Sequence, residues 1–415
     1  VPIGLRRTPL TWAIYAATGA WASFVYLTGP VAPVMAADLG VPTASAGLLG
    51  TALAAGIATA SLTGPVAVRR LGRDGTMRVA LLVVAAGAAC AAVVPGLMTG
   101  WPAFASALAL VWAGATGGAT AANASTARLA EVHPQHSAYA ITEANAAAGW
   151  VGLFSPLLLG LALGAGLGWW VGFAFCVLAS LAAVAGLVLA DRAEHARTGA
   201  ADRPSMHTLA AADELYEPPP GAAPPTTRSP GNRLPRPFWV AMVALFAAAG
   251  SEFAINFWGS PLIQVQTGAP TAAATAAMSA SVAGIAVGRT VGSRVTQRLG
   301  PHRTLLGGFA LTIAGFAVLW LAAALPVAVV GLFVAGLGLS TLFPLMIDRG
   351  LLLSDGRPDL AMSRASLVLG LAIGGAPFLL GALGSVVPVS TAMLLVPLIV
   401  AIGVVGVLGS RPRTG

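Results

Sequence analysis

The chain has 415 residues, of which 57% are hydrophobic and 9% charged, and its mean hydropathy is +0.84. A soluble domain carries about 25% charged residues, so this chain cannot cover its surface for water, and lipid is the expected solvent around it. The net charge is +8 and every basic side chain is arginine; these sit in short loops between apolar runs, which points to membrane topology, and nucleic acid is not an expected partner.

Crossing a bilayer takes about 20 apolar residues in a helix. Breaking the chain at charges, Pro and Gly clusters gives twelve such runs: spans 1 to 12 at 10–36, 43–68, 76–97, 102–127, 138–163, 167–190, 237–264, 271–296, 303–324, 326–347, 361–384 and 388–409. Helix is the expected form, because an open strand in lipid leaves backbone groups unpaired. The first run is long enough to span and shows no clear cleavage site, so it reads as a span and not a leader.

Arginines mark one side. Arg6 and Arg7 precede span 1; Arg69, Arg70, Arg73 and Arg78 lie between spans 2 and 3; Arg128 lies near the 4/5 turn. Arg192 to Arg236 lie between spans 6 and 7, Arg294 to Arg303 near 8/9, Arg349 and Arg357 between 10 and 11, and Arg411 and Arg413 at the end. The alternate connections carry none. The positive-inside rule then places both termini and the 6/7 linker in the cytoplasm, with a bacterial inner membrane as the expected location. The linker, 191–236, is polar and rich in Pro; it reads as a disordered tether with room for a short amphipathic helix at Met206–Tyr216. It divides the chain into a first half, 1–190, and a second, 237–415.

The halves echo each other. A shift of 228 positions lays Pro33 on Pro261, Gly40 on Gly268, Pro42 on Pro270, Gly64 on Gly292, and Arg70-Leu71-Gly72 on Arg298-Leu299-Gly300. A shift of 221 lays Arg128 on Arg349, Gly149 on Gly370, Pro156 on Pro377 and Gly160 on Gly381. Parallel six-span repeats describe one transporter architecture.

A charge near the bilayer centre is costly, so a residue placed there is a functional candidate by default. Glu252 lies near the middle of span 7, with Asn256 and Ser260 one and two turns on along the same face. Burial disfavours a charged carboxylate, so Glu252 is a candidate to bind and release a proton. Pro156 and Pro377, at repeat-related places, are expected to bend spans 5 and 11.

Two halves of six, a linker, and the stretch Gly64-Pro65-Val66-Ala67-Val68-Arg69-Arg70-Leu71-Gly72-Arg73, echoed at Gly292 to Gly300, resemble the major facilitator superfamily. Its 2/3 loop carries a Gly-x-x-x-Asp-Arg-x-Gly-Arg pattern. The Asp is absent from both copies here, and the first Gly is displaced by one. Gly288-Arg289 and the Glu252…Trp258 segment also resemble fucose-permease-like members. The resemblance implies an all-α membrane protein of twelve helices in two pseudo-symmetric bundles, with alternating access and spans 1, 4, 7 and 10 around a central cavity. It makes Tyr26, Asn123, Asn256 and Trp258 candidates to join Glu252 in binding substrate, alongside stripes such as Trp112, Thr116, Thr120. It also sets spans 5 and 8 face to face, which suggests a Glu143–Arg289 gate pair, with Asp348 and Arg364 as further gate candidates, the two pairing inside the second half.

The expected function is secondary active transport of a small solute, coupled to protons. Export of a drug or metabolite is preferred over uptake of a sugar-like solute, and a non-transporting receptor is the reading from another class. No enzyme, cofactor or metal site is expected. Cys90 and Cys176 lie far apart in apolar runs, the five histidines lie in or near loops, and no nucleotide-binding loop is present. The expected partners are the bilayer, a small-molecule substrate and protons, with the protein acting as a monomer.

Overall fold

A computed structural model describes residues 7–198 and 233–410, all of the defined elements being helical. Most of the linker, including Met206–Tyr216, lies outside the described residues. In chain order the helices are α1 (Pro9–Asp38), α2 (Gly47–Val93), α3 (Gly100–Val132), α4 (Ser137–Gly152), α5 (Phe154–Gly164), α6 (Trp170–Thr198), α7 (Arg236–Thr267), α8 (Thr271–Ala277), α9 (Ser279–Leu299), α10 (Pro301–Trp320), α11 (Leu325–Leu339), α12 (Leu342–Leu352), α13 (Pro358–Gly384), α14 (Val389–Ala392) and α15 (Leu395–Gly409).

Eleven described stretches are long and apolar enough to cross a membrane. The longest, Thr43–Leu97, supplies two crossings, spans 2 and 3, because its helix is interrupted at Gly72 (φ 68°, ψ 176°). Only glycine takes that conformation without strain. Its repeat mate Gly300 has φ 80° and ψ 155° between spans 8 and 9, and Gly40 and Gly268 match at φ 70° and 67°. The twelve-span architecture in two bundles is therefore present, with spans 5, 8, 10 and 12 each built from two consecutive helices. Large apolar side chains such as Leu62 and Val386 lie 78% and 82% exposed, as an outer surface solvated by lipid requires.

Both ends of the linker, at Thr198 and Arg236, fall at one end of the bundle, here called the linker end. At this end the first half is tied together by charge. Arg128 donates to Asp74 (3.0 Å) and Glu131 (3.3 Å), Arg73 pairs with Glu131, and Arg78 with Asp191 (3.0 Å). The motif's missing Asp is thus replaced by acids placed elsewhere, Asp74 two residues past Gly72 among them. In the second half Arg349, the mate of Arg128, is buried and donates to Val407 O (2.9 Å) and His302 Nδ1 (3.1 Å). His302 is the residue 228 positions after Asp74, so the repeat keeps the arginine and exchanges the acid for an imidazole.

Span 1 is started by a reciprocal cap between Thr8 and Thr11, and Thr11 Oγ1 also meets His133 Nε2 at 2.9 Å. Burial, and secondarily the charge of His136, holds His133 below the usual imidazole range. A histidine depressed in the fold adds stability above its unfolded value and loses it as pH falls through the folded one. In an NMR titration the His133 midpoint is expected below that of histidine in an unstructured peptide; an equal or higher midpoint would contradict this.

The two halves meet along two seams related by the repeat. In one, Gly160 of α5 lies against Ala272 and Ala276 of span 8; in the other, Gly381 of α13 lies against Ala44 at the start of span 2. Ala272 is the repeat mate of Ala44. A Cβ at Gly160 would stand 2.5 Å from Ala276 N and 2.6 Å from Ala272 O, and one at Gly381 would overlap Ala44 O. The seams part differently toward the linker end. Gly149 still faces Ala286, at 3.1 Å for an added Cβ, whereas nothing lies within 4 Å of its mate Gly370. The bundle is closed at the far end and opened at the linker end along spans 2 and 11.

Candidate functional site

Spans 1 and 7 cross between the halves, and a glycine makes the crossing possible. Any side chain at Gly29 would overlap the amide of Asn256. The next residue, Pro30, lacks an N–H, so the Tyr26 carbonyl loses its helical donor and span 1 is weakened here. Tyr26 and Glu252 then meet: the phenol donates to Glu252 Oε1 at 3.3 Å. This hydrogen bond joins the first half to the second.

Around that bond lies a narrow cleft with room for about one water. Pro30 and Pro156 wall it from the first half, and Asn256, Met278, Ser281 and Ile285 from the second. Asn256 is buried, and its Oδ1 accepts no hydrogen bond from any described residue. Arg289, half-buried on span 8, is the cation whose charge acts on both Tyr26 and Glu252. The site thus combines an acid, a phenol and an unsatisfied amide on a largely apolar wall, with Arg289 one turn beyond Ile285 on span 8.

In this conformation, open at the linker end, Glu143 and Arg289 are not paired. Glu143 instead accepts from Arg7 Nη2 (2.7 Å) and Nε (3.0 Å) and from the Tyr15 hydroxyl (2.9 Å), all within the first half. Those contacts hold the exposed Arg7 guanidinium above its ordinary range, the hydrogen bond contributing most and the charge of Glu143 next. The reason is helical phase. The face of α4 that meets span 8 is marked by Gly149, and six residues earlier the chain has turned by about 120° from that face. Arg289 lies one turn beyond Ile285, which lines the Glu252 cleft.

Asp348 and Arg364 form no ion pair with each other; Asp348 is exposed at the linker end. Trp258 is buried and donates to Pro377 O (3.0 Å), so it packs span 7 on span 11 and does not line the cleft. Ser260 turns to Thr275 (3.3 Å). On span 4, Trp112 donates to Thr59 (3.1 Å), Thr116 and Thr120 line a different cleft, and Asn123 is exposed outside the Glu252 site. Sequence reading missed Ser281 and Ile285, although their four-residue steps to Arg289 place all three on one helical face.

The Major Facilitator Superfamily description matches residues 14–353. The chain belongs to this superfamily. It is therefore a multi-pass membrane transporter of small molecules and not an enzyme. Its fold is similar to that of a bacterial homolog of the human lysosomal transporter Spinster in an inward-facing, unoccupied conformation (15% identity, 98% of each chain covered, TM-score 0.67). It is also similar to the xylose transporter XylE from E. coli, partially occluded and inward-open (12%, 96% of each chain, 0.70). A third likeness is to FucP in the outward conformation (16%, 97% of this chain and 99% of that one, 0.57), which is compatible with the fucose-permease-like resemblance. No curated protein matches the chain in sequence.

Proposed function

We propose that this superfamily member carries a small neutral polar solute by alternating access, and that a proton on Glu252 is the coupling ion. The observation that carries the reading is the Tyr26–Glu252 hydrogen bond between the halves, with Arg289 as its countercharge. Protonation of Glu252 would weaken its hold on Arg289 and Tyr26 and free the two halves, 1–190 and 237–415, to rock. The solute would take the vacated donors, and Asn256 Oδ1 would accept from it.

The presence of Arg289 on the same face of span 8 as Ser281 and Ile285 favours a neutral solute over a cation, because a second cation there would meet like charge. Hydroxyl groups suit Asn256, Tyr26 and Ser281 better, and XylE, a xylose transporter, has a similar fold. Export of a drug or metabolite was the preferred reading of the sequence; for a cationic drug this site offers less support. With the linker and termini in the cytoplasm of an inner membrane, as the arginines imply, the linker-end opening corresponds to an inward-facing state.

Proton movement in proteoliposomes tests the proposal. A pH-sensitive dye is followed while polyols and sugars, lipophilic cations or small organic anions are added to purified protein. A proton signal with a neutral hydroxylated solute is the expected result, and its sign gives the direction of transport. A signal restricted to lipophilic cations would replace the substrate class, and silence from the whole panel would remove proton coupling.

A further inference from the structure

A second cleft, with about 410 Å³ of empty space, lies between spans 2, 3 and 4 and shares no residue with the Glu252 site. Its walls include Leu71, Val79 and Val83, each between 39% and 49% exposed. Four threonines also line it, but their hydroxyls are spent. Thr63, Thr76, Thr116 and Thr120 each donate to the carbonyl four residues back, at 2.6–2.9 Å. No free donor among them asks for a polar ligand, so the cleft is suited to a hydrocarbon chain.

Its apolar walls are exposed on spans 2 and 3. Span 3, one of its walls, contributes nothing to the Glu252 cleft and is tied to span 6 by Arg78–Asp191. From Leu71, beside the turn at Gly72, the cleft climbs eight residues to Thr63, about 12 Å into the membrane. Directly before Leu71 in the chain come Arg69 and Arg70, exposed, with no ion pair or hydrogen bond to any described residue; helical phase sets Arg70 nearer the cleft face than Arg69. The neighbouring Arg73, Arg78 and Arg128 are all occupied by acids. Two uncompensated cations at a membrane surface, directly beside an apolar slot, complement one kind of molecule.

We infer that an anionic glycerophospholipid occupies this cleft, one acyl chain between spans 2, 3 and 4 and its phosphate at Arg69 and Arg70. Because spans 2 and 11 are the seam that opens at the linker end, this lipid would stand against a moving helix.

Native mass spectrometry of the full chain, released from detergent after exchange into defined lipid, tests the assignment. Phosphatidylglycerol is expected to remain bound where phosphatidylcholine of the same chains does not. Changing both arginines, Arg69→Gln with Arg70→Gln, should weaken retention by about tenfold or more, as the loss of two surface cations implies. Ala67→Phe, which fills the slot and leaves the charges, should also release the lipid. Equal retention of the two lipids by wild type, or unchanged phosphatidylglycerol binding in the arginine variant, would overturn it, and so would displacement of the lipid by a transported solute. The lipid comparison in wild-type protein depends on no variant folding.

Discussion

Glu252→Gln is expected to reduce solute-driven proton movement to background while leaving exchange of solute across the membrane measurable. Gln keeps the shape and can still accept from Tyr26 through its carbonyl, so the hydrogen bond between the halves at 3.3 Å has a substitute. What is lost is the exchangeable proton and the charge opposite Arg289. The exchange rate of the variant should then be flat over the pH range in which wild-type exchange varies. Counterflow of labelled solute reads the exchange, and a pH-sensitive dye reads the coupling. If the variant still moves protons with solute, coupling does not reside at Glu252, and the next carboxylate to change is Glu143, whose neighbours Arg7 and Tyr15 all lie in the first half.

The second large effect is expected at the seams. Gly160→Val and Gly381→Val should each prevent the far end from closing and shift the protein toward a state open there. At Gly160 an added Cβ meets the backbone of Ala272 and Ala276, which cannot swing aside as a flexible side chain could. Such overpacking costs about 1–3 kcal/mol, or about 5- to 150-fold in the balance of two conformations. The strain falls between the halves, so neither bundle has to unfold to relieve it. With Cys90 and Cys176 replaced by Ser, a single cysteine at Ser281 reports the change, because that residue lines the central cleft. Labelling from the far side should rise and transport should fall at least about tenfold. Unaltered labelling would mean that these contacts do not set the closed state. Gly370→Val supplies a comparison: its Cβ would enter open space in this conformation, so it should leave far-side labelling alone.

Much of this arrangement was legible in the sequence. The arginine pattern and the apolar run lengths require no tertiary information, and twelve crossings followed from them. The repeat likewise paired Gly40 with Gly268 and Gly72 with Gly300, and in the structure each pair takes a positive φ. Glu252 was legible because a mid-span carboxylate is costly unless the fold uses it. Side-chain direction was harder to read. Glu143 and Arg289 lie at similar depths on facing spans, yet a rotation of about 120° about one axis sends Glu143 to Arg7. The stripe Trp112, Thr116, Thr120 looked like a cavity wall, but a periodic face does not say which neighbour it meets. Helix breaks were also partly hidden. Span 5 is interrupted at Leu153, near Pro156, while span 11 continues as one helix through Pro377, so the same proline at repeat-related places had different local results.

The exchange of Asp74 for His302 changes what fastens each arginine. The Asp74 carboxylate meets Arg128 through charge as well as a hydrogen bond. His302 meets Arg349 by accepting a hydrogen bond at Nδ1, which a guanidinium can only donate, so that ring nitrogen is the one without a hydrogen. A duplicated scaffold thereby ties the bases of its two bundles by different chemistry, although its turns and arginines keep their repeat-related places.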